Sequence, residues 1–241
     1  MKPIAHIRTD LPQKFGIPRN SFLAPHLRGC IVFEPECALE SAVAGIESFS
    51  HLWLIWQFEN GVPGGTADDI AADSAAPYRN GADARWTPTV RPPRLGGTER
   101  VGVFASRSPF RPNPLGLSCV KLDRVERTDA GPVLHVLGAD LRDGTPILDI
   151  KPYIPFADCH PDACGGWSED APWHELTVDF PDQLRKSIEQ DKLAGLIEVL
   201  RQDPRRAGSK HDPSRVYHLA YSSHDVAFTV DGDVLHVVCV S

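Results

Sequence analysis

From Ile4 to about Phe156 the apolar residues come in short runs, each bounded by Pro, Gly, Asp or Asn, and this spacing limits the possible folds more than any other feature of the chain. Runs of that kind, rich in β-branched and aromatic residues, predict strands at Ile4–Arg8, Cys30–Phe33, Ser48–Phe58 and Val101–Ala105. Leu117–Val125 and Val133–Leu137 read as strand partners across a turn at Arg127–Pro132. Ala139–Leu141 and Ile147–Ile150 are two further short strands around Asp143-Gly144-Thr145-Pro146. Ser48–Phe58 (SFSHLWLIWQF) is the most hydrophobic run and predicts a strand buried on both faces, with Trp53 and Trp56 on opposite sides. The one short helix candidate in this half is Ala38–Ile46, closed at Gly45. Many short strands and hardly any helix fit a small antiparallel β-barrel.

The pattern changes after a Pro/Gly/Cys-rich loop at Ala157–Trp173. A strand near Leu176–Phe180 precedes the only extended helical pattern, Pro181–Leu200, where Leu184, Ile188, Leu196, Ile197 and Leu200 recur mainly at three-to-four spacing. Pro181 suits a first-turn position, and Asp203-Pro204-Arg205 ends the segment. Tyr217–Tyr221, Val226–Val230 and Val234–Val240 read as strands, the last two joined at Asp231-Gly232. The chain is therefore expected to be mainly β, with a barrel domain over residues 1–160 and a smaller α+β domain over 161–241. A hydrophobic share of 41% is enough to build cores of this kind. Gly61–Trp86, rich in Gly, Ala, Asp and Pro, reads as a long insertion that can act either as a lid or as a plain connection.

The net charge of −7 argues against a generic nucleic-acid coat but allows a local basic face. Such a face is visible in Thr89–Ser118, with Arg91, Arg94, Arg100, Arg107 and Arg111 against the single acid Glu99. Prolines stiffen this stretch, and glycines let its backbone come close to a ligand. Stiff, arginine-dense loops suit an anionic ligand. The six cysteines form no CxxC pair, and Cys159, His160 and Cys164 are too few for a structural zinc site, so no metal is expected. The N-terminus has no apolar signal core and no run reaches membrane-spanning length, which predicts a cytoplasmic protein. No GxGxxG follows a strand, so a Rossmann-type cofactor site has no support.

Gly16-Ile17-Pro18-Arg19, Gly29–Glu36 (GCIVFEPE), Gly45–Trp53 (GIESFSHLW), Thr89–Ser118 with its RSPFRPNP core, and Asp143–Pro155 (DGTPILDIKPYIP) resemble the TsaA-like TrmO family. The resemblance covers residues 1–160 closely and continues more loosely to the end, through Gln202-Asp203-Pro204-Arg205 and the terminal strands. It implies a TsaA-like β-barrel, usually a homodimer, that uses S-adenosylmethionine to methylate N6 of N6-threonylcarbamoyladenosine in tRNA, 3′ of the anticodon. By the same resemblance the cofactor would be held by Ser21, Phe22, Leu23, Arg107, Leu117, Asp143, Gly144, Thr145 and Pro146. Glu59 and Asn60 stand where relatives often carry His-Gln or His-Asn, a departure that leaves Glu59 to meet the ammonium or a ribose hydroxyl.

Methyl transfer to a ureido-like nitrogen needs positioning and removal of one proton. Asp149 and Asp143 are the candidate bases, with Lys151 and Tyr153 as orienting donors. Asp149 and Lys151 fit equally well as a structural ion pair, and Tyr153 either stacks on the acceptor base or packs at the barrel mouth. Arg91, Arg94, Arg100 and Arg111, with a second basic group at Arg201, Arg205, Arg206, Lys210 and Arg215, are expected to face tRNA phosphates, and Asp203 belongs to the same C-terminal motif. Two other readings stay open: a methyltransferase of this fold with another substrate, and a non-catalytic cofactor- or RNA-binding module.

Overall fold

The computed structural model describes residues 1–58, 86–92, 95–97, 99–170, 174–205 and 212–241. Its strands, in chain order, are β1 (Ala5–Thr9), β2 (Arg28–Phe33), β3 (His51–Gln57), the two-residue pair β4 (Thr89–Val90) and β5 (Val101–Gly102), β6 (Leu115–Thr128), β7 (Gly131–Leu137) and β8 (Pro146–Pro152). β9 (Thr177–Asp179), β10 (Tyr217–Tyr221), β11 (His224–Asp231) and β12 (Val234–Val240) follow. β1, β2, β7, β6, β3 and β8 close into a barrel in that order, and every pairing around it is antiparallel.

Alternation along the strands builds the barrel interior. On β3, Leu52 and Leu54 are fully buried, and their ladder partners on β6, Val120 and Ser118, are buried with them. Ile7, Ile31, Leu134 and Ile147 complete the layer. Burying each such aliphatic side chain contributes about 1.5–3 kcal/mol. Trp53 and Ile55 point to the outer wall and are only half-buried, so β3 is buried on one face rather than two. Trp56 turns inward against the core, opposite Trp53 as expected. On β8 the pairing with β3 steps from Asp149 opposite Ile55 to Ile147 opposite Trp56, which leaves Leu148 as the extra residue of a bulge.

The C-terminal strands form a separate sheet in the order β10-β11-β12-β9, with β9 parallel to β12. The helix Leu193–Arg201 covers it through Leu196, Val199 and Leu200. This second core also takes in Leu11, Ala24 and Leu27 from the segment between β1 and β2. That segment therefore leaves the barrel, packs on the second sheet and returns.

Four local expectations need correction. Ala38–Ile46 forms no α-helix; the chain makes 3-10 turns at Glu40–Ala42 and Ile46–Ser48, hinged on Gly45 at φ 84°. Val101–Ala105 is a strand only to Gly102, beyond which Val103–Ala105 is a 3-10 turn. Ala139–Leu141 is irregular, although Ala139 and Leu141 are buried. Pro181–Leu200 is two pieces, Asp182–Arg185 and Leu193–Arg201, because the intervening turn sends Lys192 to Ser222 Oγ (2.7 Å) and Asp10 Oδ1 (3.7 Å).

Candidate functional site

The sequence-predicted residues fall on two adjoining surfaces of the barrel. The first is the end where β1 and β7 finish and β6 and β8 begin. The 3-10 turn Ser21–Leu23 lies there against β6, and its Ser21 backbone sits so close to Gly138 that a Cβ at 138 would meet Ser21 O at 3.0 Å. Phe22 is 73% exposed. Arg107 reaches the same end, donating from Nη1 to Asn20 Oδ1 at 3.2 Å. Arg107 makes no ion pair among the described residues.

The 143–146 segment is a tight turn sewn onto β1. The Gly144 N–H donates to Ile7 O (2.8 Å), the Ile7 N–H to Thr145 O (3.1 Å), and Thr145 Oγ1 to Arg142 O (2.7 Å). Gly144 has a φ of 80°, a value side chains disfavour, which explains the residue type. Pro146 pairs with His6 at the start of β8. Asp143 accepts the Thr9 N–H at 3.0 Å and lies 3.6 Å from Arg8 Nη1. Its carboxylate is thus committed to shaping the turn.

The second surface is the outer wall formed by β6, β3 and β8. Leu117, 53% exposed, sits opposite Ile55, which in turn sits opposite Asp149. The next row is Cys119, Trp53 and Lys151. At two strand spacings, Leu117 and Asp149 have Cα atoms about 10 Å apart. Lys151 Nζ pairs with Asp149 Oδ2 at 3.1 Å, and Asp149 Oδ1 accepts the Ile150 N–H at 2.9 Å. Tyr153 lies beyond, 5.7 Å from the Trp53 ring and 6.2 Å from His51. Burial and the neighbouring Cys159 hold its phenol above the ordinary value. Asp149 therefore borders the Leu117 side of the site, whereas Tyr153 marks the far end of the wall.

Sequence reasoning missed Asp140, Ser118 and Asn20. Asp140 lies between the buried Ala139 and Leu141 at the same barrel end. Its Oδ1 is buried and has no hydrogen-bond partner among the described residues. Burial pushes its carboxyl up to about 6, against the opposing influence of the Ser118 hydroxyl, its own N–H and the charge of Arg107. Ser118, also buried, accepts from Trp56 Nε1 at 3.1 Å. A polar residue between two apolar ones in a segment rich in turn residues was the only sequence signal for Asp140.

The basic residues divide by role. Arg91 is exposed. Arg100 donates to Thr89 Oγ1 at 2.6 Å. Arg111 binds the carbonyls of Ser106 (2.9 Å) and Ser108 (3.2 Å) and lies over Phe104, so it braces the loop that carries Arg107. Arg205 is buried, with Nε and Nη2 on the two oxygens of Asp203 at 2.7 and 2.9 Å. Asp203 adopts φ 50°, so the pair clamps a strained turn after the main helix. Arg205 thus turns inward onto Asp203. Glu59, Asn60, Arg94, Arg206, Lys210 and the insertion through residue 85 lie outside the described residues. Beside the Ser21–Leu23 turn, a cleft of about 440 Å³ opens toward the second unit, lined by Phe22, Leu23, Pro25, Glu198, Arg201 and Gln202 among others.

The family model for the tRNA-methyltransferase O N-terminal domain matches residues 6–159, and that for the TrmO C-terminal domain matches residues 174–241. The chain is 39% identical to tRNA (adenine(37)-N6)-methyltransferase of Escherichia coli (strain K12), over 86% of this chain and 82% of that one. It is 38% identical to a Pseudomonas aeruginosa protein whose name refers to an S-adenosylmethionine-dependent methyltransferase, over 90% of this chain and 86% of the other. The crystal structure of TrmO from Pseudomonas aeruginosa superposes with a TM-score of 0.73 at 31% identity, covering 100% of this chain and 96% of that one. With both family domains matched and the barrel shared, the chain belongs to the tRNA-methyltransferase O family.

Proposed function

We propose that this protein transfers a methyl group from S-adenosylmethionine to N6 of N6-threonylcarbamoyladenosine at position 37 of tRNA. The observation that carries the reading is the family membership, with relatives named as tRNA (adenine(37)-N6)-methyltransferases. Residues of the barrel end and the adjoining outer wall suit the cofactor in kind. Arg107, without an ion pair among the described residues, suits a carboxylate. The exposed side chains of Phe22 and Leu117 suit the faces of a purine. The Gly144 turn brings polar backbone to the same end. When bound, the cofactor supplies a methyl group already activated on a sulfonium.

The chain's own part is orientation and proton removal. Asp149 lies on the outer wall one row from Trp53 and beside Lys151, whereas Asp143 sits in the turn on β1, and this position favours Asp149 as the group that takes the proton from the acceptor nitrogen. Lys151 orients that carboxylate, and Tyr153 with Trp53 offers an aromatic surface to the acceptor base. Arg91, Arg94 and Arg111 belong to the proposed tRNA face, Arg111 through bracing its loop. Asp203 and Arg205, bonded to each other, would hold the C-terminal part of that face in shape. A barrel over residues 1–160 with a C-terminal unit over 161–241, a homodimer and a cytoplasmic location are parts of the same proposal; two separate cores support the division.

The test is methyl incorporation from labelled S-adenosylmethionine into two tRNA preparations, one bearing threonylcarbamoyladenosine and one bearing unmodified adenosine at that position. Label only in the first supports the reading. Equal label in both removes the threonylcarbamoyl requirement, and label in neither removes the tRNA assignment.

A further inference from the structure

We propose that Asp140 binds the α-ammonium group of the cofactor's amino-acid end, opposite Arg107, which takes the carboxylate; this rests on the S-adenosylmethionine reading above. Native proteins rarely leave a buried carboxylate oxygen unpartnered, because the group forfeits its hydration without compensation. Asp140 Oδ1 is in that position. The other carboxylates of the motif are committed elsewhere. Asp143 holds the Thr9 N–H and lies beside Arg8, and Asp149 is paired with Lys151 on the outer wall. Asp140 alone of the three has an oxygen in want of a donor.

Its surroundings indicate which donor. The charged side chain that acts on the Asp140 carboxyl is Arg107, yet Arg107 bonds to Asn20 and forms no ion pair with Asp140. An arginine and an aspartate set near one another without a mutual bond present a charge pair of opposite polarity to that of an α-amino acid. A carboxylate on Arg107 and an ammonium on Asp140 would complete both groups at once, each by a charge-assisted hydrogen bond. The position agrees with the rest of the site. Gly138, two residues before Asp140, lies under Ser21, and Asn20, which holds Arg107, leads into the same turn. Ser118, which accepts from Trp56 Nε1, acts on the same carboxyl, and Oδ1 remains buried without a partner among the described residues.

Calorimetry with two nucleosides tests the inference. S-adenosylhomocysteine carries the amino-acid end, and 5′-methylthioadenosine lacks it. Asp140→Asn and Asp140→Ala should each bind S-adenosylhomocysteine about tenfold or more weakly than wild type, while affinity for 5′-methylthioadenosine stays within about twofold. Melting curves of both variants check that the barrel is intact. A merely structural aspartate would weaken both nucleosides in parallel, and that result would overturn the inference, as would unchanged S-adenosylhomocysteine affinity. If the wild-type protein binds neither nucleoside, the cofactor reading itself fails, an outcome distinct from the other two.

Discussion

Asp140→Asn should stabilise this protein at neutral pH. The Asp140 carboxyl is pushed up to about 6 in the fold, against an ordinary value of 3.8. An acid whose folded value is raised binds its proton more tightly in the native than in the unfolded state. Its contribution to stability is therefore full below about pH 4 and is lost as the pH rises through 6. A displacement of roughly two pH units corresponds to about 3 kcal/mol lost by pH 7.5, of which about 2 kcal/mol disappears between pH 4.5 and 7.5. Asparagine keeps the shape and carries no charge to desolvate. The stability difference between variant and wild type should thus widen in the variant's favour by up to about 2 kcal/mol over that interval. In a chain of this length that is about 4–8 °C in Tm. Urea melts followed by tryptophan fluorescence report on the barrel, because Trp53 and Trp56 both lie on β3. A variant less stable than wild type throughout, or a difference that does not change with pH, would refute the reasoning. The gain would come at the expense of cofactor binding, the trade-off expected where a site keeps a costly buried charge for its ligand.

Other substitutions test other parts of the account. Arg205→Ala removes one partner of the buried pair with Asp203 and should cost about 2–3 kcal/mol in a urea melt, with Arg205→Lys recovering only part because it cannot bind both oxygens. Gly116→Ala would set a Cβ 2.1 Å from the Trp56 ring, so it should cost about 1–3 kcal/mol and change the Trp56 fluorescence. Arg111→Ala frees the loop that carries Arg107 and should weaken S-adenosylhomocysteine in calorimetry by up to about tenfold, through lost positioning rather than lost contact.

The barrel was largely legible in the sequence because its strands are short apolar runs set off by turn residues. β3 marks the limit of that legibility: Leu52, Leu54 and Trp56 on one side and Trp53 and Ile55 on the other are all apolar, so the run read as a strand buried on both faces although only one face lies in the core. Val103–Ala105 and Pro181–Leu200 misled because apolar spacing does not reveal where a tertiary bond bends the chain. The Lys192 bonds to Ser222 and Asp10 are made across the fold and leave no local pattern. The site was legible mainly through family motifs. Those motifs show which residues recur together but not that Asp143 is spent on β1, that Arg205 turns inward, or that a bulge at Leu148 aims Asp149 at the outer wall. Asp140 was invisible for a related reason: whether a carboxylate oxygen lacks a partner is a property of the packed structure.

The most direct test of the central claim is mass spectrometry of the nucleosides released from tRNA after incubation with the purified protein and S-adenosylmethionine. Threonylcarbamoyladenosine should gain one methyl group, no other nucleoside should, and Arg107→Ala should abolish the gain. Threonylcarbamoyladenosine left unmethylated by a protein that still binds S-adenosylhomocysteine would contradict it.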